Sequence, residues 1–308
     1  MPEPRIALCV VTYNSGPLIE EFVAAVPEGT AGTDSSLVFA DNGSQDDTLE
    51  QIARWAPEAL VVRTGGNLGY AGGVNAAVRA AGDQDAYLIL NADVRLGPGC
   101  VRTLFEGLGN GVGIVVPRLV DQHGELIWSM RREPSVLRTW ADALVGAEHV
   151  GRIASLGEVV TDPAAYTTAQ ATDWAEGSTQ LVGAECWRVC GEWDESLFLY
   201  SEETEYDLRA RDNGLLTWYE PAAVATHLEG GSATSPRQWS LLVANRLRLF
   251  RMRHGRAATG LVWLALVVRE GSRALLGKPT SRAAIRDLVN PIRMRQARGP
   301  EWLEGVRL

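Results

Sequence analysis

Ile6-Ala7-Leu8-Cys9-Val10-Val11 runs without a break into Thr12-Tyr13-Asn14-Ser15-Gly16. Six apolar residues suit a strand buried on both faces, and the polar cluster after them marks its end. The pattern returns along the first 120 residues: Leu37 to Ala40 precedes Asp41-Asn42-Gly43-Ser44, Leu60 to Val62 precedes a glycine-rich run, and Tyr87 to Leu90 precedes Asn91-Ala92-Asp93. Ile114 to Val116 offers a fifth strand. Between the first two, Leu18, Phe22, Val23 and Val26 fall at helical spacing within Pro17 to Val26; between the second and third, Thr48 to Trp55 does the same. Strands alternating with helices predict an α/β fold with a mostly parallel, doubly wound sheet. Ligands of such sheets bind at the carboxyl ends of the strands, so the polar clusters are expected to converge on one site.

The chain of 308 residues is 46% hydrophobic and 22% charged, which excludes a disordered polymer. Its net charge of −9 argues against a nucleic-acid binder working through overall positive charge. That charge is unevenly placed. From Pro236 onward there are 15 Lys and Arg against 4 Asp and Glu, which leaves 14 basic against 34 acidic residues, a net of −20, for residues 1–235. Cys9, Cys100, Cys186 and Cys190 show no metal-like spacing and are expected to be reduced core thiols of a cytoplasmic protein. Met-Pro-Glu-Pro-Arg enters the first strand too promptly for a secretory leader, and the apolar run Ala257 to Val268 is too short to span a bilayer.

Four constellations carry chemistry. In Asp41-Asn42-Gly43-Ser44-Gln45-Asp46-Asp47-Thr48, a tight turn is followed by candidate helix caps, which would leave Asp41 to accept bonds from a nucleobase or ribose. Gly65 to Asn75 places five glycines within nine residues before an alanine-rich helix predicted over Ala76 to Ala81; such a loop admits a phosphate to backbone amides. A nicotinamide fingerprint would need its glycines directly after the first strand, where Thr12-Tyr13-Asn14-Ser15-Gly16 stands instead. Asn91-Ala92-Asp93 at a strand end supplies hard oxygen ligands suited to Mg²⁺ or Mn²⁺ bridging a diphosphate. Finally, five carboxylates lie between Glu195 and Asp207 among aromatic residues; either they form a solvated helix start, or mutual repulsion lifts a pKa and makes a general base. Leu208, Leu215 and Leu216 suggest that this helix packs one face inward. His227 follows a predicted strand over Ala222 to Thr226 and precedes Glu229-Gly230-Gly231-Ser232.

In this order the motifs resemble the family 2 glycosyltransferases of the GT-A fold, especially their bacterial rhamnosyltransferase-like branch. The resemblance runs from about Ile6 to His227 and rests on Val-Thr-Tyr-Asn-Ser (11–15), Asp-Asn-Gly-Ser (41–44), Asn-Leu-Gly-Tyr-Ala-Gly-Gly-Val-Asn (67–75), Asn-Ala-Asp (91–93), Trp-Asp-Glu (193–195), Tyr-Ser-Glu-Glu-Thr-Glu (200–205) and His227. It implies a Rossmann-like catalytic domain over 1–235 with a basic, amphipathic helical extension over 236–308. Thr12, Tyr13, Asn14, Asp41, Asn67, Gly69, Gly73, Asn75, Asn91 and Asp93 would bind the nucleotide-sugar donor. Asp93 and His227 would hold Mg²⁺ or Mn²⁺, and Trp193, Asp194 and Glu202 would meet the acceptor. Glu203 stands where the family has its catalytic Asp, and Glu205 replaces another common Asp, so each carboxylate sits one methylene further out; Glu203 is expected to be the base, with Glu205 as substitute.

The reaction so implied is an inverting, metal-dependent transfer of a sugar to an acceptor hydroxyl on a glycan or polyprenyl-linked glycan, in envelope or polysaccharide synthesis. L-rhamnose from dTDP-rhamnose is the first expectation, galactofuranose or another hexose from a UDP-sugar the second. A degenerate domain that binds nucleotide or glycan without turnover is the rival outside enzymology. A sugar nucleotidyltransferase is disfavoured because Lys278 is the only lysine. The Arg-rich helices at 238–256 and 257–276 fit two uses: peripheral contact with the anionic inner face of the plasma membrane, or a cap or homo-oligomer surface whose arginines neutralise the acidic body.

Overall fold

A computed structural model of the chain describes residues 2–228, 234–295 and 299–304. The Glu229 to Ser232 run and parts of the basic tail lie outside them. The predicted strands and helices open the chain in order: β1 (Arg5–Thr12), α1 (Gly16–Gly29), β2 (Asp34–Asp41), α2 (Thr48–Trp55), β3 (Leu60–Arg63), α3 (Gly69–Ala81) and β4 (Ala86–Asn91). Side chains of β1 and β4 alternate between two cores. Ala7, Cys9, Tyr87 and Ile89 face one helical layer, while Ile6, Leu8, Val10, Leu88 and Leu90 face the other, which is why both strands read as unbroken apolar runs. All four cysteines are free and buried, as expected.

The next part is less regular: β5 (Val94–Leu96), α4 (Cys100–Glu106), β6 (Val112–Val120), β7 (Met130–Arg131), α5 (Val136–Leu144), α6 (Ala147–Val150), β8 (Gln170–Thr172), β9 (Trp174–Ala175), β10 (Thr179–Gly183), α7 (Ala184–Cys190), α8 (Glu202–Asp212) and β11 (Leu216–His227). The main sheet runs β3-β2-β1-β4-β10-β6-β11-β5, with β8 on β11. β1 to β4 are parallel, and β6 and β11 share their direction. β10 is inserted antiparallel between β4 and β6. This is the mostly parallel sheet flanked by helices that the GT-A pattern requires.

Three local expectations need correction. The helix expected from Ala76 begins at Gly69, so Gly72 and Gly73 are helical rather than loop residues. A Cβ on Gly73 would stand 2.6 Å from Val11 Cγ1; its absence lets α3 lie directly on β1. Leu215 and Leu216 do not belong to α8, which stops at Asp212 before Asn213-Gly214; Leu216 opens β11, a strand far longer than Ala222 to Thr226. The start of α2 is held by Asp46: its Oδ1 accepts from the Thr48 amide at 3.1 Å while its Oδ2 accepts from the Gly16 amide at 3.0 Å, so one carboxylate fixes the starts of two helices.

The tail folds as α9 (Pro236–Arg253), α10 (Arg256–Leu275) and α11 (Pro279–Leu288) around Val243, Leu247, Phe250, Val262, Leu266, Ala284 and Leu288. It is tied to the body by charge. Arg246 meets Glu158 at 2.5 Å, Arg253 meets Asp212 at 2.8 Å, and Arg269 meets Asp142 at 2.9 Å. Between body and α8, the buried Asn75 clamps one residue twice: its Nδ2 donates to the Trp193 carbonyl at 3.0 Å and its Oδ1 accepts from the Trp193 amide at 2.9 Å. Asn75→Ala leaves both backbone groups unmet in the interior, and a loss of about 2–4 kcal/mol is expected in urea unfolding with the m-value unchanged.

Candidate active site

The carboxyl ends of β1, β2 and β4 meet, with Thr12 paired to Asp41 and Val11 to Asn91. Beside them opens a cavity of about 500 Å³ whose wall includes Tyr13, Asn42, Asn67, Asn91, Asp93 and Phe198. Gly69 lines it as well. Of the ten residues expected to bind donor, Tyr13, Asn67, Gly69, Asn91 and Asp93 are therefore on the wall. The other five are not. Asp41 is 2% exposed, and its carboxylate accepts from the hydroxyls of Thr12 and Ser44 and the amides of Gly43 and Ser44. It anchors the turn, and Thr12 is spent on it. Asn14 braces the same turn, its amide donating to Ser44 Oγ and its Oδ1 accepting from the Gln45 amide. Gly73 and Asn75 serve packing and the Trp193 clamp.

The residue after Asp41 is just as deeply buried, at 2% exposed. Asn42 is on the cavity wall; its Nδ2 donates to the Gly69 carbonyl at 2.8 Å, which orients the amide, and its buried Oδ1 has no hydrogen-bond partner among the described residues. Gly69 has φ +79°, and a Cβ there would lie 2.1 Å from the Phe198 carbonyl oxygen. Only glycine fits that approach.

Across the cavity, Asp93 follows β4 and His227 ends β11, with Nε2 to Oδ2 at 3.4 Å. The second imidazole nitrogen, Nδ1, lies 3.0 Å from Glu176 Oε1. Burial opposes the imidazolium, but the two carboxylates outweigh it and lift the His227 pKa to about 10. Glu176 is itself pulled below its ordinary value, His227 overcoming the effect of burial. The donor set suits a divalent ion in its chemistry: one carboxylate, one imidazole, and a second carboxylate that orients the imidazole. Among the described residues no group of three or more His, Cys, Asp or Glu has a metal-holding arrangement, so Asp93 and His227 would supply two ligands and leave the remainder to a ligand.

Glu176 was not foreseen. Site residues are expected after the strands of a parallel sheet, whereas β10 runs backward, so the residues before it reach the crevice; the Asn91 amide donates to the Ser178 carbonyl at 3.0 Å. An acidic residue before Gly177-Ser178 and an apolar strand was the available signal.

The acidic cluster divides into several roles. Glu203, at the start of α8, packs on Gly177, whose added Cβ would stand 3.0 Å from Glu203 Cβ. Burial lifts its carboxyl to about 7; backbone amides and Arg131 oppose the rise and Glu176 adds to it. Glu202 is fully buried and held well above the carboxylate range, by burial first and Glu203 second. Asp207, also raised by burial, accepts from the Ala175 amide at 2.9 Å and joins α8 to β9. Glu205 pairs with Arg209 at 2.8 Å, which removes it as a substitute base. The expected acceptor residues do not line the cavity: Trp193 stacks in the core on Tyr206 with ring centroids 5.3 Å apart, and Asp194 caps a short turn by accepting from the Ser196 amide at 2.9 Å. Directly before α8, Phe198, Tyr200 and Ser201 all take positive φ, a concentration of backbone strain next to the carboxylates.

Residues 7–147 match the family model described as Glycosyl transferase family 2. The chain is 28% identical over 236 residues to N-acetylglucosaminyl-diphospho-decaprenol L-rhamnosyltransferase of Mycobacterium tuberculosis, covering 72% of this chain and 75% of that protein. It is 25% identical over 215 residues to the low-salt glycan biosynthesis hexosyltransferase Agl10 of Haloferax volcanii, covering 67% and 61%. Among solved structures, the mannosyltransferase PcManGT from Pyrobaculum calidifontis, in complex with GDP-Man and Mn²⁺, superposes with a TM-score of 0.57 at 16% identity over 95% of this chain and 86% of that one. Glucosyl-3-phosphoglycerate synthase from Mycobacterium tuberculosis, solved with Mn²⁺, UDP and glucosyl-3-phosphoglycerate, gives a TM-score of 0.52 at 17% identity over 80% of each chain. At such identities these two speak for the fold alone. One consequence of the geometry is directly measurable: carboxyl ¹³C titration should show one glutamate with a midpoint near 7, missing in Glu203→Gln.

Proposed function

This chain belongs to the family 2 glycosyltransferases, and on that footing we propose that it transfers L-rhamnose from dTDP-rhamnose, with inversion, to a hydroxyl of a polyprenyl-diphosphate-linked glycan. The rhamnosyltransferase named above supports both the sugar and the lipid-linked acceptor. One observation carries the reaction type: Asp93, Glu176, Glu203 and His227, from four distant segments, gather beside a cavity that Asn42 and Tyr13 help to wall.

The nucleotide base lies against Asn42, whose unmet Oδ1 accepts an imide N–H such as that of thymine or uracil. Asp93 and His227 would hold Mg²⁺ or Mn²⁺, and the bound ion supplies positive charge against that gathering on the departing diphosphate. Glu176 keeps the imidazole turned toward Asp93. Glu203 accepts the proton of the acceptor hydroxyl as its oxygen bonds to the anomeric carbon; the bond from that carbon to the diphosphate oxygen breaks on the opposite face. No covalent enzyme intermediate forms. No helix among the described residues is long and apolar enough to cross a membrane, and a lipid-linked acceptor is reached by peripheral contact at the inner face of the plasma membrane.

Thermal stabilisation by dTDP, UDP and GDP with Mn²⁺ tests the donor; dTDP is expected to shift the transition most, and Asn42→Ala to reduce that shift. A larger shift with UDP would move the donor to a UDP-sugar. Glu203→Gln should still bind dTDP while kcat falls by about 10²–10⁴-fold, the usual range for a lost general base. In the native enzyme kcat/KM should rise with pH up to about 7 and then level, because only the ionised carboxylate accepts a proton. Full activity in Glu203→Gln would remove Glu203 as the base.

A further inference from the structure

A second cavity, of about 970 Å³, lies between α9, α10 and the loop before α8. Each helix gives it one stripe. Ala244, Arg248 and Arg251 face it from α9, and Arg256, Gly260 and Trp263 from α10, both sets at i, i+4 and i+7. Its arginines differ from those that hold the tail to the body. Arg246, Arg253 and Arg269 are committed to carboxylates of the body, whereas Arg251 and Arg256 form no ion pair or hydrogen bond among the described residues. Arg248 donates one N–H to the Ser196 carbonyl. The carboxylate on the wall, Glu195, is already engaged by Asn75 at 3.0 Å and Arg79 at 3.3 Å. The cavity is therefore cationic at one end and apolar at Trp263. Outside it, α10 continues with exposed Leu261, Leu264 and Val268.

Phe198 belongs to the walls of both cavities, and it precedes Glu203 by five positions. Asn245 fixes this partition, its Nδ2 donating to the Leu197 carbonyl at 2.8 Å and the Leu199 carbonyl at 2.9 Å. We propose that the groove between α9 and α10 is the subsite for the prenyl diphosphate end of the acceptor. Arg248, Arg251 and Arg256 take the diphosphate, Trp263 and the outer face of α10 take the first isoprene units, and the sugar is directed past Phe198 toward Glu203. The assignment rests on the lipid-linked transferase reading and adds where the lipid end is held. Arginine's planar fork suits phosphate oxygens, and a diphosphate attached to a chain matches a site with both characters.

Geranylgeranyl diphosphate in mild detergent is the probe, with inorganic pyrophosphate and geranylgeraniol as its two halves. Binding is read by calorimetry. The whole molecule is expected to bind at least about tenfold tighter than either half, and Arg251→Glu with Arg256→Glu to weaken it at least about tenfold, as expected for lost charge-assisted bonds. Gly260→Leu tests the same site without altering charge: a Cβ at Gly260 meets nothing within 4 Å, so the longer side chain enters the groove and should displace the probe. Stabilisation by dTDP, read separately, should be unchanged in both variants, which reports folding and the nucleotide cavity. Undiminished probe binding in both variants, displacement of the probe by dTDP, or equal binding of pyrophosphate alone would each overturn the assignment. Loss of donor turnover with probe binding intact would instead count against the transfer reading.

Discussion

The Tyr70 amide donates to the Phe198 carbonyl at 2.7 Å, and around that single bond the two halves of the site are assembled. On one side Asn42 holds the Gly69 carbonyl, so the turn after β2 is fixed to the start of α3. On the other, Asn245 holds the carbonyls either side of Phe198, so α9 is fixed to the loop before α8. The approach is close enough that only glycine fits at position 69. The turn after β2, the start of α3, the loop before α8 and α9 are consequently one connected set of contacts, each made by a side-chain amide or a main-chain N–H to a backbone carbonyl.

Much of the catalytic fold was legible because apolar runs of strand length and polar ends repeat in order through β4. Thr48–Trp55 emerged with its predicted bounds, since Asp46 and the amphipathic spacing both mark it. What escaped reading depends on chain direction and close contact. β10 runs against its neighbours, and nothing local in Thr179–Gly183 says so; this hid Glu176. Asp41 looked available because Ser44, Asp46 or Asp47 could cap the helix after it, yet four nearby donors claim its carboxylate. The spread of the acidic cluster over the proposed base, a buried acid, an ion pair and a strand tie follows from helix geometry: Glu203, Glu202, Glu205 and Asp207 leave α8 in different directions.

The charge imbalance has a similar resolution. An acidic body and a basic tail attract at long range, but the contacts are specific: Arg246 meets the largely buried Glu158, Arg269 the buried Asp142, and Arg253 both the half-buried Glu133 and the exposed Asp212. Such pairs add little net stability once desolvation is counted, and their value is in fixing how the helices sit. The tail thus caps the body through part of its charge, while Arg248, Arg251 and Arg256 face the groove between α9 and α10.

Phe198 lines both cavities. A single synthetic molecule bearing a nucleoside at one end and a lipophilic phosphonate at the other would pass that residue to engage both. Tethering makes the second engagement intramolecular, so modest affinity at each end multiplies into a tight, chain-selective inhibitor.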